Sequence, residues 1–474
     1  MVKSLVVAGL SALALLLVPG VAPARLDVVS AQRGVAPAHG HAAAQSIKPF
    51  VVYGVYTRVQ RSQLVTEGYD IGEAAWADHV ELYGTEKQAQ ALALRGFRVV
   101  PKEEPDDFPP GDSGYHNYAE MVTDLQEVAA AHPATVHLFS LGTSYEGRSL
   151  IGVRISDDAN DNLSEPGVFF VGQHHAREHL TVEVVLSLMH MFVEKPQATN
   201  LVKSRQIYIV PSLNPDGGEY DIATGNYRFW RKNRQPYQGI YGTDQNRNYT
   251  YKWGCCGGSS GDPGSEVYRG PSPLSTPEDQ RMADFMIAHP NVKTGISYHS
   301  YGDLILYPYG YTYEDIPPDM DPVDHATFVA MGAEMERTAG YHAQQSSDLY
   351  ITDGDWNDYM YGELHRYPIT IELSGGTFYP PDEFIPGESL RNHQAAIFVA
   401  TIADCRRESS ASTARARSAL GLVTSTGKHA KQSRLGVGQP GRLVTLSGEA
   451  SVCGLTHGES RPRFFPAFEG VFTR

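Results

Sequence analysis

The sequence predicts an α/β fold: a mostly parallel, twisted mixed sheet with helices on both faces, preceded by a small α+β unit. In the middle of the chain, apolar strand-like runs alternate with polar loops and amphipathic helical stretches. This alternation is typical of parallel sheets covered by helices. In such sheets the ligand crevice lies at the carboxyl ends of the strands, so the polar loops there are the first place to search for a site.

The amino-terminal residues have the pattern of an export signal. A lysine and an apolar run precede the small-residue motif Ala22-Pro23-Ala24, so we expect residues 1–24 to be a secretory signal peptide. Ser11 and Pro19-Gly20 interrupt the run, which disfavours a membrane anchor of about 20 apolar residues. Residues 25–47 are rich in Ala, Gly and His, and we expect them to be disordered.

A small α+β unit is predicted over residues 48–100. The stretch PFVVYGVYTRV is predicted to be a strand, EAAWADHVELYGTEKQAQALALRG to contain a helix, and FRVVP to form a short strand. The acidic, proline-rich residues 101–114, PKEEPDDFPPGDSG, are typical of a linker.

The main domain is predicted over residues 115–405. Its strand-like runs are GVFFVGQ, RQIYIV, TGISYHS and YPITIEL, and the helical stretch LTVEVVLSLMHMFVEK follows the first of them. Residues 406–474 carry 11 Lys and Arg against 4 Asp and Glu without clear periodicity, so we expect a basic, disordered tail. The whole chain has a net charge of −15 and no basic patch that would indicate a nucleic-acid partner.

The four cysteines leave the disulfide pattern open. Adjacent cysteines rarely bridge each other without strain, so a bond from Cys255 or Cys256 to Cys405 is plausible and unproven. Four cysteines allow three connectivities, and the sequence does not choose among them. A Cys-Cys zinc site is disfavoured because no second Cys or His pair follows at zinc-site spacing.

The stretch HHAREH is the first candidate for a metal site. His175, Glu178 and His179 match the inverted zinc-protease pattern, which requires a single helix so that both histidines share one face. Here His175 directly follows a strand-like run, and helical periodicity starts near Thr181. A second interpretation uses His175 and Glu178 alone and needs a distant third ligand.

Two further polar residues lie at the ends of strand-like runs. His299 is the next-to-last residue of TGISYHS and lies at the same predicted sheet edge as His175. Two histidine nitrogens and one carboxylate would leave the fourth position of a catalytic zinc site for water. Glu372 is the next-to-last residue of the apolar run YPITIEL, where an unpaired buried charge is costly. A base beside a metal site explains it.

These residues resemble the zinc metallocarboxypeptidases of the carboxypeptidase A type. Further matching stretches occur in the expected order: LNPDGGEY, RFWRKNR, GTDQNRNY and YRGPSPLSTPE. The resemblance covers residues 115–405. The sequences WGCCGGSSG and DLYITDGDW are most similar to those of secreted bacterial members such as carboxypeptidase T. It implies a carboxypeptidase-like fold.

The resemblance implies a secreted zinc-dependent exopeptidase that removes C-terminal amino acids from peptides and proteins. One Zn²⁺ would be held by His175, Glu178 and His299, and Glu372 would be the general base for a zinc-activated water. Arg231 would stabilise the oxyanion as it forms.

It also implies the substrate contacts. Asn246 and Arg247 suit a free α-carboxylate, which a guanidinium can bind in a bidentate, charge-assisted way. Asp244 would orient the first zinc histidine, His175. With His175, Glu178 and His299 as the ligands, His174 and His179 would not bind the metal. The other implied substrate-binding residues are Arg177, Ser300, Tyr301, Tyr350, Asp355 and Asn357.

Asn357 at the pocket floor and Asp355 on its wall favour mixed apolar and basic side-chain specificity. The expected partners are peptides or proteins with a free C-terminal carboxylate, and residues 48–100 as the chain's own propeptide. We expect a monomer without stable membrane insertion.

Three alternatives remain at this point. A zinc endopeptidase would use His175, Glu178 and His179, whereas a peptidase for cell-wall peptides would keep the whole predicted site. A carboxypeptidase-like binding module without catalysis would be expected to lack Glu372, Arg231 or a ligand, and this chain has all of them.

Overall fold

The structure, a computed structural model, describes residues 47–72, 77–102, 114–158, 160–223, 227–237 and 239–404. The predicted signal peptide, the segment 25–46, most of the predicted linker and the basic tail lie outside the described residues. Within these ranges the structure contains no helix that combines the length and the apolar character needed to cross a membrane.

The N-terminal unit is a three-stranded antiparallel sheet in the order β2-β1-β3 with two helices. Its elements are β1 (Lys48–Tyr53), α1 (Arg58–Thr66), β2 (His79–Gly84), α2 (Glu86–Leu94) and β3 (Arg98–Pro101). The first predicted strand was too long, because Thr57 starts a helix: its side chain accepts from the backbone of Gln60 in a capping box. The second strand, β2, lies within the region that was predicted to contain a helix.

The large domain begins with α3. Its helices are α3 (Tyr118–Ala131), α4 (Leu180–Glu194), α5 (Pro196–Thr199), α6 (Pro215–Ile222), α7 (Pro277–Ala288), α8 (Pro322–Ala339), α9 (Ser346–Leu349), α10 (Trp356–Asp358) and α11 (Ile385–Ile402). Its strands are β4 (Val136–Thr143), β5 (Ser149–Ile155), β6 (Gly167–Val171), β7 (Gln206–Val210), β8 (Pro236–Tyr237), β9 (Ile240–Tyr241), β10 (Val292–Ser300), β11 (Leu304–Tyr307), β12 (His342–Gln345) and β13 (Tyr367–Leu373).

Eight of these strands form one mixed sheet in the order β12-β11-β13-β10-β6-β7-β5-β4. The central strands β13, β10, β6 and β7 are mutually parallel, whereas β11, β5 and β4 join in antiparallel pairs. The predicted fold class is confirmed. The strands β11 and β12, together with the hairpin β4–β5, were not anticipated.

Alternation along the central strands explains why helices cover both faces. In β6, Val168 and Phe170 pack into one apolar cluster with α3, α4, α8 and α11. The intervening Phe169 and Val171 pack into a second cluster with α7 and the residues around Trp356. Because successive side chains of a strand point to opposite faces, a continuous apolar run such as GVFFV requires cover on both sides.

One disulfide differs from the expectation. Cys255 is bonded to its neighbour Cys256, so the bond to Cys405 that the sequence made plausible is wrong for these two residues. The segment around the pair turns sharply: Gly254 and Gly257 have φ angles of +64° and +82°, a conformation that glycine adopts without steric cost.

Candidate active site

Three buried side chains converge at the carboxyl edge of the sheet. His175 lies in the loop after β6, Glu178 comes one turn later, and His299 is the penultimate residue of β10. His175 Nδ1 is 2.7 Å from Glu178 Oε1, and His299 Nδ1 is 3.0 Å from Glu178 Oε2. The two histidine Nδ1 atoms are 3.2 Å apart.

This donor set fits zinc. One ligand atom from each of the three residues lies within 4.8 Å of the others, and two imidazoles with one carboxylate are a known protein ligand set of catalytic zinc sites. The outer nitrogen of each imidazole is already engaged: His175 Nε2 lies 3.2 Å from Asp244 Oδ1, and His299 Nε2 lies 3.1 Å from Ser297 Oγ. Such outer contacts leave each Nδ1 directed at the shared centre.

The charges around this centre keep its carboxylates ionised. Burial alone would raise the pKa of Asp244, but Arg231, Arg247 and His175 lower it well below its usual range. Burial likewise opposes ionisation of Glu178, and the two neighbouring histidines bring its pKa below its usual value. Both groups are therefore anionic, as a metal ligand and its supporting residue need to be.

His179 and His174 point elsewhere. The helix α4 begins only at Leu180, so the HxxEH stretch does not lie on one helix. His179 Nε2 lies 3.1 Å from Asp221 Oδ2 of helix α6. His174 hydrogen bonds with Ser297 and with the hydroxyl of Tyr249. Neither belongs to the group of convergent ligand atoms.

The register of the sheet places Glu372 beside the three candidate zinc ligands. β13 runs parallel to β10, and Glu372 is the direct partner of His299. The side chain is buried and lines a cavity together with Asn246, Arg247, Tyr350 and other residues. Glu372 is thus both the strand partner of a candidate zinc ligand and part of the cavity lining.

The loop that carries Asn246 and Arg247 forms one wall of this cavity. Asp244 starts a short 3₁₀ turn, Gln245–Arg247, by accepting from Asn246 N at 3.0 Å. Asp244 Oδ2 also accepts from Arg231 Nε at 3.0 Å. The same carboxylate therefore contacts the first histidine and orients Arg231.

Asp355, the N-cap of α10, and Asn357, within α10, line the same cavity. Asp355 accepts from Thr352 Oγ1 at 2.5 Å and from Asp358 N at 2.9 Å, and burial raises its pKa. Asn357 Nδ2 donates to Leu306 O at 3.1 Å, whereas its Oδ1 has no hydrogen-bond partner among the described residues. Burial therefore weakens the acidity of the Asp355 carboxyl group in the wall of this cavity.

The N-terminal unit contributes residues that sequence reasoning missed. Asp70 forms a double hydrogen bond to the guanidinium of Arg177, with one of the two N–O distances at 3.0 Å, and lies 3.8 Å from Arg231 Nη1. Tyr83 hydrogen bonds through its hydroxyl to Tyr301. No motif marks Asp70 in the sequence, because its partner lies 107 positions away.

Helix α1 holds the chain on both sides of Tyr350. Arg61 Nε donates to Leu349 O at 2.6 Å, and Ile351 N donates to Ser62 Oγ at 2.7 Å. Tyr350 itself is buried in an apolar cluster that includes Leu64 of the same helix. At the end of β10, Ser300 is also buried, and its Oγ has no partner among the described residues.

Comparison with known proteins agrees with this geometry. Residues 121–395 match the family Peptidase_M14, zinc carboxypeptidase. This chain belongs to that family. A zinc carboxypeptidase of Saccharothrix mutabilis subsp. capreolus is 42% identical over 335 residues, which are 67% of this chain and 76% of that protein. The carboxypeptidase A1 of Rattus norvegicus is 28% identical over 73% of this chain and 82% of its own length.

The fold has solved relatives. The crystal structure of carboxypeptidase A from Helicoverpa armigera matches with a TM-score of 0.65 and 24% identity, over 77% of this chain and 98% of that chain. As a zinc carboxypeptidase family member, the protein is a zinc-dependent peptide hydrolase that acts at C-termini. The predicted family, enzyme class and metal are therefore confirmed.

Proposed function

We propose that the protein is a secreted, zinc-dependent exopeptidase that is made with an inhibitory N-terminal propeptide. The observation that supports the catalytic part most strongly is the convergence of His175, Glu178 and His299 beside Glu372, which lines one cavity with Arg247. A zinc site next to a base, and a carboxylate receptor in the same cavity as that base, match the requirements of C-terminal hydrolysis.

His175, Glu178 and His299 would hold the zinc. When bound, zinc supplies Lewis-acid polarisation of a carbonyl and lowers the pKa of water to about 7. The carboxylate of Glu372 would accept a proton from the attacking water. It would then deliver this proton to the leaving amine as the C–N bond breaks. The Glu372 carboxylate is buried beside the candidate zinc ligands, and a side chain held in place in this way can transfer a proton in the transition state.

Two arginines would receive the carbonyl oxygens. Arg231 is buried and fixed through its Nε by Asp244, so its charge is oriented before substrate arrives. A fixed donor of this kind stabilises the charge that develops on the oxygen in the transition state. Arg177 pairs with the same Asp70 carboxylate that Arg231 approaches, and it would bind a carbonyl farther along the peptide.

Asn246 and Arg247 would bind the α-carboxylate of the last residue, which explains the restriction to C-termini. The last side chain would enter the cavity lined by Asp355 and Asn357, with Tyr350 closing over it. Asp355 and Asn357 in this lining support mixed apolar and basic specificity, because a carboxyl group can pair with a basic side chain whereas the amide carries no charge.

The N-terminal unit would keep the enzyme inactive. Asp70 occupies the two arginines that a substrate needs, and α1 holds the chain on both sides of Tyr350. Cleavage in the linker would release the unit and leave a mature enzyme that starts near residues 111–115. At that start, Gly114 N donates to Asp382 Oδ2 at 3.1 Å and Tyr115 Oη donates to Pro380 O at 2.7 Å. These contacts would remain after cleavage.

The test is to express the whole chain and follow three quantities over time: the N-terminal sequence of the secreted product, bound zinc, and the masses of a peptide mixture. The proposal predicts a first product that begins after residue 24. Stepwise loss of single C-terminal residues should then rise with linker cleavage. Full activity with residues 25–110 still attached would contradict the propeptide role, and internal cuts would favour an endopeptidase. Exclusive action on cell-wall peptides would narrow the substrate class.

A further inference from the structure

Asp353 is a buried carboxylate whose acceptor capacity is used by one neighbouring loop. Its Oδ2 accepts from Cys256 N at 3.1 Å and from Gly258 N at 2.9 Å. Its Oδ1 accepts from Gly254 N at 3.3 Å and from the hydroxyl of Ser259. A carboxylate offers about four acceptor positions, so the side chain is committed to residues 254–259, which we call the cysteine loop.

The cysteine loop in turn holds Arg247. Gly258 donates its N–H to Asp353, and its carbonyl accepts from Arg247 Nε at 2.9 Å. The Arg247 guanidinium also donates to Asn246 O at 2.6 Å and is buried. One residue of the loop therefore joins the carboxylate of Asp353 to the guanidinium.

The cysteine loop and the loop that carries Asp353 approach each other too closely for independent movement. A Cβ atom on Gly258 would lie 2.2 Å from the backbone carbonyl carbon of Thr352, so only glycine fits there. A Cβ on Gly354 would lie 2.7 Å from Arg247 O, and the carbonyl of Gly354 accepts from Tyr249 N at 2.9 Å. The disulfide Cys255–Cys256 lies within the same loop and restricts it further.

We propose that Asp353 is a positioning residue for substrate recognition: it fixes the cysteine loop so that Gly258 aligns Arg247 with the substrate's α-carboxylate. Asp353 acts through Arg247 and does not touch substrate. The inference rests on the proposed carboxylate-binding role of Arg247. The side chain is buried and bonded to the cysteine loop, and it is not among the cavity-lining residues such as Asp355 and Asn357, which are proposed to contact the last side chain.

The test compares Asp353→Ala and Asp353→Asn in the full chain after processing. Each enzyme is assayed on a peptide with a free C-terminus and on its C-terminal amide, with rates expressed per bound zinc. For Asp353→Ala we expect KM for the free peptide to rise about ten- to hundredfold, since small misplacements of a binding group have effects of this size. We expect kcat to change less than about threefold, and the preference for the free carboxylate to fall by the same factor as KM rises.

Asp353→Asn keeps one acceptor oxygen and should show a smaller rise in KM in the same direction. It carries the test if Asp353→Ala does not fold. Asp262→Ala is the matched control, because Asp262 is an exposed acid just beyond the loop, and it should leave KM unchanged. A loss confined to kcat or to the yield of folded protein, with KM and the carboxylate preference unchanged, would overturn the inference.

Arg247→Ala separates this inference from the proposed function. If Arg247→Ala keeps the preference for the free carboxylate, the proposed role of Arg247 fails, and with it the basis of the inference. If Arg247→Ala abolishes that preference while both Asp353 variants retain the wild-type KM, the proposed function stands and the positioning role of Asp353 is overturned.

Discussion

At the scale of single residues, the account depends on charges that are buried together. Glu178, Asp244 and Glu372 are carboxylates at the edge of an apolar sheet, where an isolated charge would be costly. Asp244 is compensated by Arg231 and by His175. The cost of burying Glu372 is explained by its proposed role as the base, since it is the strand partner of His299 and lines the cavity that is proposed to bind substrate.

Glu372→Gln tests that explanation. The amide has the same shape but cannot take a proton from water, so we expect kcat to fall by roughly 10²–10⁴-fold. Zinc content and the melting temperature should stay close to those of the wild type. Turnover at the wild-type rate in a fully zinc-loaded Glu372→Gln enzyme would rule out the role of general base.

At the scale of elements, hydrophobic periodicity predicted the central strands, whereas the pairing of distant segments could not be predicted. The runs GVFFVGQ and YPITIEL are apolar enough to predict central strands, and their ends located His175 and Glu372. The strands β11 and β12, at one end of the sheet, are four residues each, too short for a period-two pattern to be recognised. The contacts of Asp70 and Asp353 depend on which loops meet, and local sequence does not encode this.

The start of α3 is joined to α4 by an ion pair that makes stability depend on pH. The hydrogen bond to Glu183 raises the pKa of His116, with Asp124 and Glu120 adding to the effect. The unfolded pKa is about 6.5. Since the folded pKa is higher, the contribution is complete below about pH 6.5 and is lost as pH rises through the folded value.

His116→Ala should therefore lower the free energy of unfolding in mildly acidic buffer and have little effect in alkaline buffer. The imidazole is 36% exposed, and screening by solvent limits the effect to at most about 1 kcal/mol. Denaturant unfolding at about pH 5.5 and about pH 9 measures the difference. His132→Ala, at the other end of α3, is the control. A deficit that grows with pH would contradict the assignment.

At the scale of the whole molecule, the N-terminal unit and the catalytic cleft are joined by buried charge. Asp70 pairs with Arg177 and approaches Arg231, and all three side chains are almost completely buried. Removing one partner of a buried charge pair at an interface costs about 2 kcal/mol or more. The unit is thus held by the same arginines that are proposed to bind substrate.

Asp70→Asn should weaken this hold. In the chain with its linker intact, we expect the basal peptidase activity to rise about tenfold or more, because a cost of about 1.4 kcal/mol already corresponds to a factor of ten. Glu67→Gln is the control, since Glu67 is in the same unit and pairs with Arg95 there. Equal basal activity of wild type and Asp70→Asn would show that the pair does not maintain latency.

The central claim is that strand ends far apart in the sequence build one zinc site from His175, Glu178 and His299. Metal content of purified His299→Ala and His179→Ala proteins, measured by mass spectrometry against wild type, tests it most directly. The account predicts that His299→Ala loses zinc and activity, while His179→Ala keeps most of both because it lies against Asp221. Zinc retained in His299→Ala and lost from His179→Ala would contradict it.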